Sequence, residues 1–143
     1  MFKSTSVSDH MLKKPVLVTP ETDLFEAIHL ILVNKLSGLT VVDEQKHPVG
    51  VLSELDCLKA ILTGTYYQMV GGRVGDYMTS PVVDMVSPND DILLVAQSMI
   101  DNKRRRRPVV GASGALVGQV TCRQMLKALK EMDMPADPTE QNV

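Results

Sequence analysis

The 143-residue sequence predicts a mixed α/β (α+β) fold made of two copies of one β-α-β-β-α unit. Three observations predict it. With an offset of 68, Pro20 falls on Pro88, and 11 of the 42 positions from Pro20 to Ile61 are then identical without a gap. Within each copy, apolar residues at helical spacing alternate in the same order with short β-branched runs. The composition, 44% apolar and 22% charged, is that of an ordinary globular chain and excludes wholesale disorder or collagen-like structure.

The elements follow in order. Val16 to Val18 is a short extended piece stopped at Thr19-Pro20, and Val82 to Val86 is its counterpart before Ser87-Pro88. A helix runs from about Asp23 to Lys35, with Asp23 placed to cap it and Glu26 three residues on; the copy runs from about Asp91 to Lys103. Leu39 to Val42 reads as a strand, Asp43 to His47 as a polar turn, Val49 to Ser53 as a second strand and Glu54 to Leu62 as a second helix. In the other copy these are Val109-Val110, Gly111 to Gly114, Val117 to Thr121 and Arg123 to Met132. Upstream, Val7-Ser8-Asp9-His10-Met11 echoes Val74-Gly75-Asp76-Tyr77-Met78 one residue out of register, as a short helical turn before each unit. The duplication divides the chain into a first repeat with its leading turn (1–62), a glycine-bearing linker (63–73), a second repeat (74–130) and a tail (131–143) expected to be disordered.

The helices carry more apolar surface than one small core covers. Leu24, Phe25, Ala27, Ile28, Leu30, Ile31, Leu32 and Val33 crowd the first, where a core-facing stripe needs only three or four per two turns. Burial both between the copies and against a second chain is expected.

Several function classes are excluded early. Aromatics are 3% of residues, with no Trp, so a base-stacking surface is not expected. The net charge of −2 gives no general pull toward nucleic acid or anionic lipid. The tail holds Glu131, Asp133, Asp137 and Glu140 and no Lys or Arg, while Lys103-Arg104-Arg105-Arg106-Arg107 is the one dense basic cluster. Cys57 and Cys122 are too few and too far apart for a disulfide framework or a zinc site. The start lacks an apolar signal core, and no apolar run approaches the ~20 residues of a membrane span, so a cytoplasmic protein without membrane insertion is expected. His10, His29 and His47 show no ligand spacing, the nine Met read as core filler, and no nucleophile has a base at motif spacing; neither metal, redox cofactor nor enzyme activity is expected.

Four features in each copy carry a family resemblance: Thr19-Pro20 or Ser87-Pro88 before a helix; Val41-Val42-Asp43 or Pro108-Val109-Val110; Val49-Gly50 or Val117-Gly118; and the segment after that glycine. Together they resemble a tandem pair of CBS domains, a Bateman module, over roughly Val7 to Leu129. The resemblance implies repeats related by pseudo-two-fold symmetry and a stand-alone adenine-nucleotide-binding regulatory, energy-sensing module that transmits occupancy of AMP, ADP or ATP, with or without Mg²⁺, to a partner protein.

The family's ribose signature, Gly-x-x-Ser/Thr-x-x-Asp, is complete at Gly50-Val51-Leu52-Ser53-Glu54-Leu55-Asp56. An ionised carboxylate has acceptors only, so Asp56 suits a pair of ribose hydroxyls, and Ser53 can donate beside it. The second copy has Gly118, Thr121 and Gln124, with Gln replacing Asp. By resemblance the phosphate side falls to Arg105, Arg106 and Arg123, whose guanidinium forks match phosphate, and the adenine slot to Val18, Thr19, Val51 and Pro108. The reciprocal, weaker site would use Ser37, Gly38, Thr121 and Gln124. Arginine favours phosphates over the sulfonium of S-adenosylmethionine. Other readings stand beside these: the arginine run as a solvated loop or a nonspecific nucleic-acid patch, Asp56 as a plain helix-start acid, and the whole chain as a ligand-free dimerisation or docking module.

Overall fold

The computed structural model describes residues 4–62, 72–82 and 84–133. The first repeat opens with β1 (Leu17–Val18), α1 (Leu24–Val33), β2 (Gly38–Val42), β3 (Pro48–Ser53) and α2 (Glu54–Ala60). After a short α3 (Val74–Tyr77), the second repeat has α4 (Ile92–Asp101), β4 (Arg106–Val110), β5 (Leu116–Thr121) and α5 (Cys122–Asp133). β1 pairs parallel to β2, which pairs antiparallel to β3 in the order β1-β2-β3. β4 and β5 form the equivalent two-stranded sheet. Of the strand expected over 82–86, the described residues show one parallel bridge, Val86 to Val109, the counterpart of the Val18 to Val41 pair.

The repeated identities explain themselves as local geometry. Asp23 and Asp91 cap α1 and α4, accepting from Glu26 N–H and Leu93 N–H. Both helices end alike. Lys35 and Lys103 have a φ of 54°, and Leu36 N–H donates to Ile31 O (2.9 Å) as Arg104 N–H does to Met99 O (2.9 Å). This is the six-to-one closure of a left-handed C-terminal cap, a conformation in which any side chain but glycine's crowds the backbone. Lys35→Gly is therefore expected to raise stability by about 1 kcal/mol, read as a higher urea midpoint at unchanged slope; a lower midpoint would refute the assignment of strain to this residue.

The chain divides into two compact units that do not follow the duplication. One holds Val16–Val83 with Gly114–Leu116; the other holds Met1–Pro15, Asp84–Ser113 and Val117–Val143. Each repeat thus packs with the segment that leads into the other. Val7 is fully buried in the second repeat's core, with Val86, Ile92, Val95, Met99, Val109 and Val120. Val74 is fully buried in the first repeat's core, with Leu24, Ala27, Ile31, Leu39, Val41 and Leu52.

The docking bonds match pair by pair. Val7 N–H donates to Asp90 O and Val74 N–H to Thr22 O, both at 2.9 Å. Ser8 N–H meets Pro88 O and Gly75 N–H meets Pro20 O, both at 2.8 Å. Each segment then bridges the last strand of the repeat it joins, Leu12 to Gln119 and Thr79 to Val51. A Cβ on Gly50 would lie 2.6 Å from Met78 Sδ, and one on Gly118 would lie 2.5 Å from Met11 Sδ and 2.9 Å from Leu12 O. The signature glycine is what lets the crossing segment approach.

The expected linker falls mostly on residues 63–71, which lie outside the described residues, as does the expected disordered tail beyond residue 133. Glu131 to Asp133 themselves complete α5.

Candidate functional site

The ribose signature lies where a strand turns directly into a helix. Ser53 ends β3 and caps α2: its Oγ accepts from Asp56 N–H (3.0 Å), while Asp56 Oδ2 accepts from Ser53 N–H (2.9 Å). This reciprocal capping box accounts for the spacing of three. The second repeat builds the same box with its own residues. Gln124 Oε1 accepts from Thr121 N–H (3.0 Å), and Thr121 Oγ1 accepts from Gln124 N–H (3.3 Å).

The two boxes differ in what they leave over. A carboxylate offers about four acceptor positions, and the cap fills one of them on Oδ2. The Thr79 hydroxyl lies 3.4 Å from each Asp56 oxygen, too long to occupy either firmly. Asp56 therefore keeps charge and acceptors for an incoming donor, and Ser53 keeps its hydroxyl proton. Gln124 Oε1 is shared between the Thr121 amide and, at 3.4 Å, its hydroxyl, and carries no charge.

The junction residues close on the start of the repeat's first antiparallel strand. Glu54 N–H donates to Ser37 O (3.1 Å), and Gly38 stands opposite Ser53 in the β2–β3 register. Cys122 N–H likewise donates to Arg105 O (3.0 Å). Ser53, Asp56, Ser37 and Gly38 are thereby gathered in the first-repeat unit, and Thr121, Gln124, Arg105 and Arg123 in the second. Of the residues expected at the adenine, Val18, Thr19 and Val51 belong to the first unit and Pro108 to the second. Val18 and Pro108 are buried, Val51 is half-buried and Thr19 is exposed.

The basic run is not one thing. Lys103 occupies the helix cap, and Arg104 Nε donates to Asp84 Oδ2 (3.1 Å) in an exposed ion pair of little energetic weight. Arg105 and Arg123 are exposed, and Arg106 is half-buried at the start of β4. Arg107 is buried, so a solvated loop describes Arg104 and Arg105 but not the end of the run.

Two residues escaped the sequence reading, Thr79 beside Asp56 and the buried Arg107. Thr79 comes from the exchanged segment; the out-of-register echo at Val74–Met78 is the trace that could have pointed to it. Arg107 was hidden among like neighbours. Cys57, beside Asp56, is held toward its neutral thiol form: burial pushes its pKa up, and the Asp56 and Glu54 carboxylates push it further the same way. Among the described residues no group of three His, Cys, Asp or Glu is placed to hold a metal, and no helix is long and apolar enough to cross a membrane.

Comparison with known proteins gives a consistent frame. A family model described as CBS domain matches residues 7–63 and 74–131. The fold superposes on a solved structure of CBSX2 in complex with AMP at a TM-score of 0.79 and 30% identity, covering 92% of this chain and 100% of that one. That protein is from Arabidopsis thaliana. The CBS domain pair of MJ0100, solved with 5′-methylthioadenosine and S-adenosyl-L-methionine, has a TM-score of 0.74 at 24% identity, covers 89% of this chain and 97% of that one, and shares the fold. Protein MJ1426 of Methanocaldococcus jannaschii is 28% identical over 83% of this chain and 88% of its own length.

Proposed function

The chain belongs to the CBS-domain family, and from that premise we propose that it is a regulatory module that binds an adenine nucleotide and passes its occupancy to a partner protein, without catalysing a reaction itself. The observation that carries this reading is the Ser53–Asp56 junction, whose carboxylate retains charge and acceptor capacity after capping its helix. Asp56 and Ser53 take the ribose hydroxyls. Arg105, Arg106 and Arg123 supply the phosphate contacts, and Val18, Thr19, Val51 and Pro108 the apolar lining of the base. The AMP bound by CBSX2 supports the ligand class. The arginines favour AMP, ADP or ATP over a sulfonium ligand. The Thr121–Gln124 junction, with Ser37 and Gly38, forms the weaker site because it lacks the carboxylate.

Exposed apolar residues support a homodimer. Leu55 on α2 is 76% exposed and Leu126 on α5 71%, and Leu32, Leu94 and Ile100 are as open on α1 and α4. The same residues support the second reading, a docking module that binds no nucleotide. The free thiols of Cys57 and Cys122 fit a reducing compartment such as the cytoplasm.

Thermal melting of the full chain with AMP, ADP, ATP, GTP or S-adenosylmethionine separates the readings. At about 100-fold excess over Kd a ligand adds about 2.7 kcal/mol of stability, which is a clear upward shift. A shift confined to adenine nucleotides is the expected result. No shift with any of them leaves the docking module.

A further inference from the structure

Arg107 is a charged residue in a place built for a hydrocarbon. It stands two residues before Val109 on β4, so the two side chains share a face, and Val109 is fully buried in the second repeat's core. In the duplication Arg107 corresponds to Leu39, which with Val41 is buried in the first repeat's core. Arg107 retains only 6% of its exposure, and neither Nε nor Nη2 has a hydrogen-bond partner. No ion pair to Arg107 is formed among the described residues. A guanidinium is permanently charged, so it cannot escape burial by losing its proton.

The identity of the two orphan nitrogens is informative. Nε and Nη2 lie along one edge of the guanidinium, the edge that donates two parallel N–H bonds to a carboxylate or phosphate. We propose that Arg107 forms a second anion site, which takes a small oxyanion such as inorganic phosphate in bidentate fashion on this edge. It is separate from the nucleotide site of the preceding section, because Arg106 and Pro108 alternate to the opposite face of β4. A charge left without a counter-ion in this position destabilises the protein, and an oxyanion seated on the fork reverses that.

The test is melting of the full chain in a chloride buffer, with inorganic phosphate against sodium chloride of equal ionic strength, for wild type and Arg107→Leu. The leucine is the residue the first repeat already uses. Wild type is expected to gain several degrees from phosphate beyond the salt control. Arg107→Leu is expected to melt about 3 °C or more above wild type without phosphate, to lose the phosphate gain, and to keep the gain from AMP. Arg107→Met, which removes the charge at similar length, serves if the leucine variant does not fold. A phosphate gain retained by either variant, or a melting point below wild type in chloride for both, overturns the proposal. Loss of the AMP gain together with the phosphate gain overturns the separate site. Wild type that ignores AMP but responds to phosphate overturns the nucleotide reading and leaves this one supported.

Discussion

Asp56→Ala is expected to weaken AMP binding by on the order of a hundredfold, the worth of about 3 kcal/mol when hydrogen bonds from two ribose hydroxyls lose a charged acceptor. The same change removes one half of the capping box and orphans Ser53 N–H, at a cost of about 1 kcal/mol in stability. The two effects separate with Asp56→Asn. Its side-chain oxygen can still accept from Ser53 N–H, so the melting point stays near wild type, yet the missing charge still lowers affinity about tenfold or more. Titration calorimetry on folded protein reads both variants. Wild-type affinity in Asp56→Ala would reduce this residue to a helix cap, the plainer role that its geometry already satisfies.

The second large effect concerns the amino-terminal segment. A chain starting at Lys13 is expected to lose about 4 kcal/mol, from the buried Val7 side chain and the backbone bonds made by Val7, Ser8 and Leu12. That is a large share of the 5–15 kcal/mol that holds a typical domain together. Val7→Ala isolates the packing part, at about 2 kcal/mol. Denaturant unfolding of both variants checks the pair. Stability unchanged by the truncation would mean that the segment's docking is not energetically coupled to the second-repeat core.

These cases show which features the sequence could disclose. Whatever is decided within a few residues was legible: the Asp23 cap, the strand at Leu39 to Val42, and the placement of Ser53 and Asp56 at one junction. The reason is that caps and strands depend on neighbours three or four positions away. The exchange of leading segments was not legible, because no local periodicity records which core Val7 or Val74 enters. Its only mark was the offset of 67 where the repeats otherwise keep 68. Thr79 was lost for the same reason. Arg107 was lost for another: in a run of five basic residues composition is uniform, and only counting back from Val109 along the strand separates the buried arginine from the exposed ones.

The exchange also fixes an order of events during synthesis. The Ser6 hydroxyl donates to Pro88 O across 82 positions, so the amino-terminal segment leaves the ribosome well before its destination exists. At 5–20 residues per second that interval is on the order of 10 s. The first repeat meets its own missing piece far sooner, once Val74 to Thr79 emerge. The nascent chain thus completes its earlier half while Val7 and Met11 wait uncovered, a period in which a chaperone or a neighbouring nascent chain competes for them.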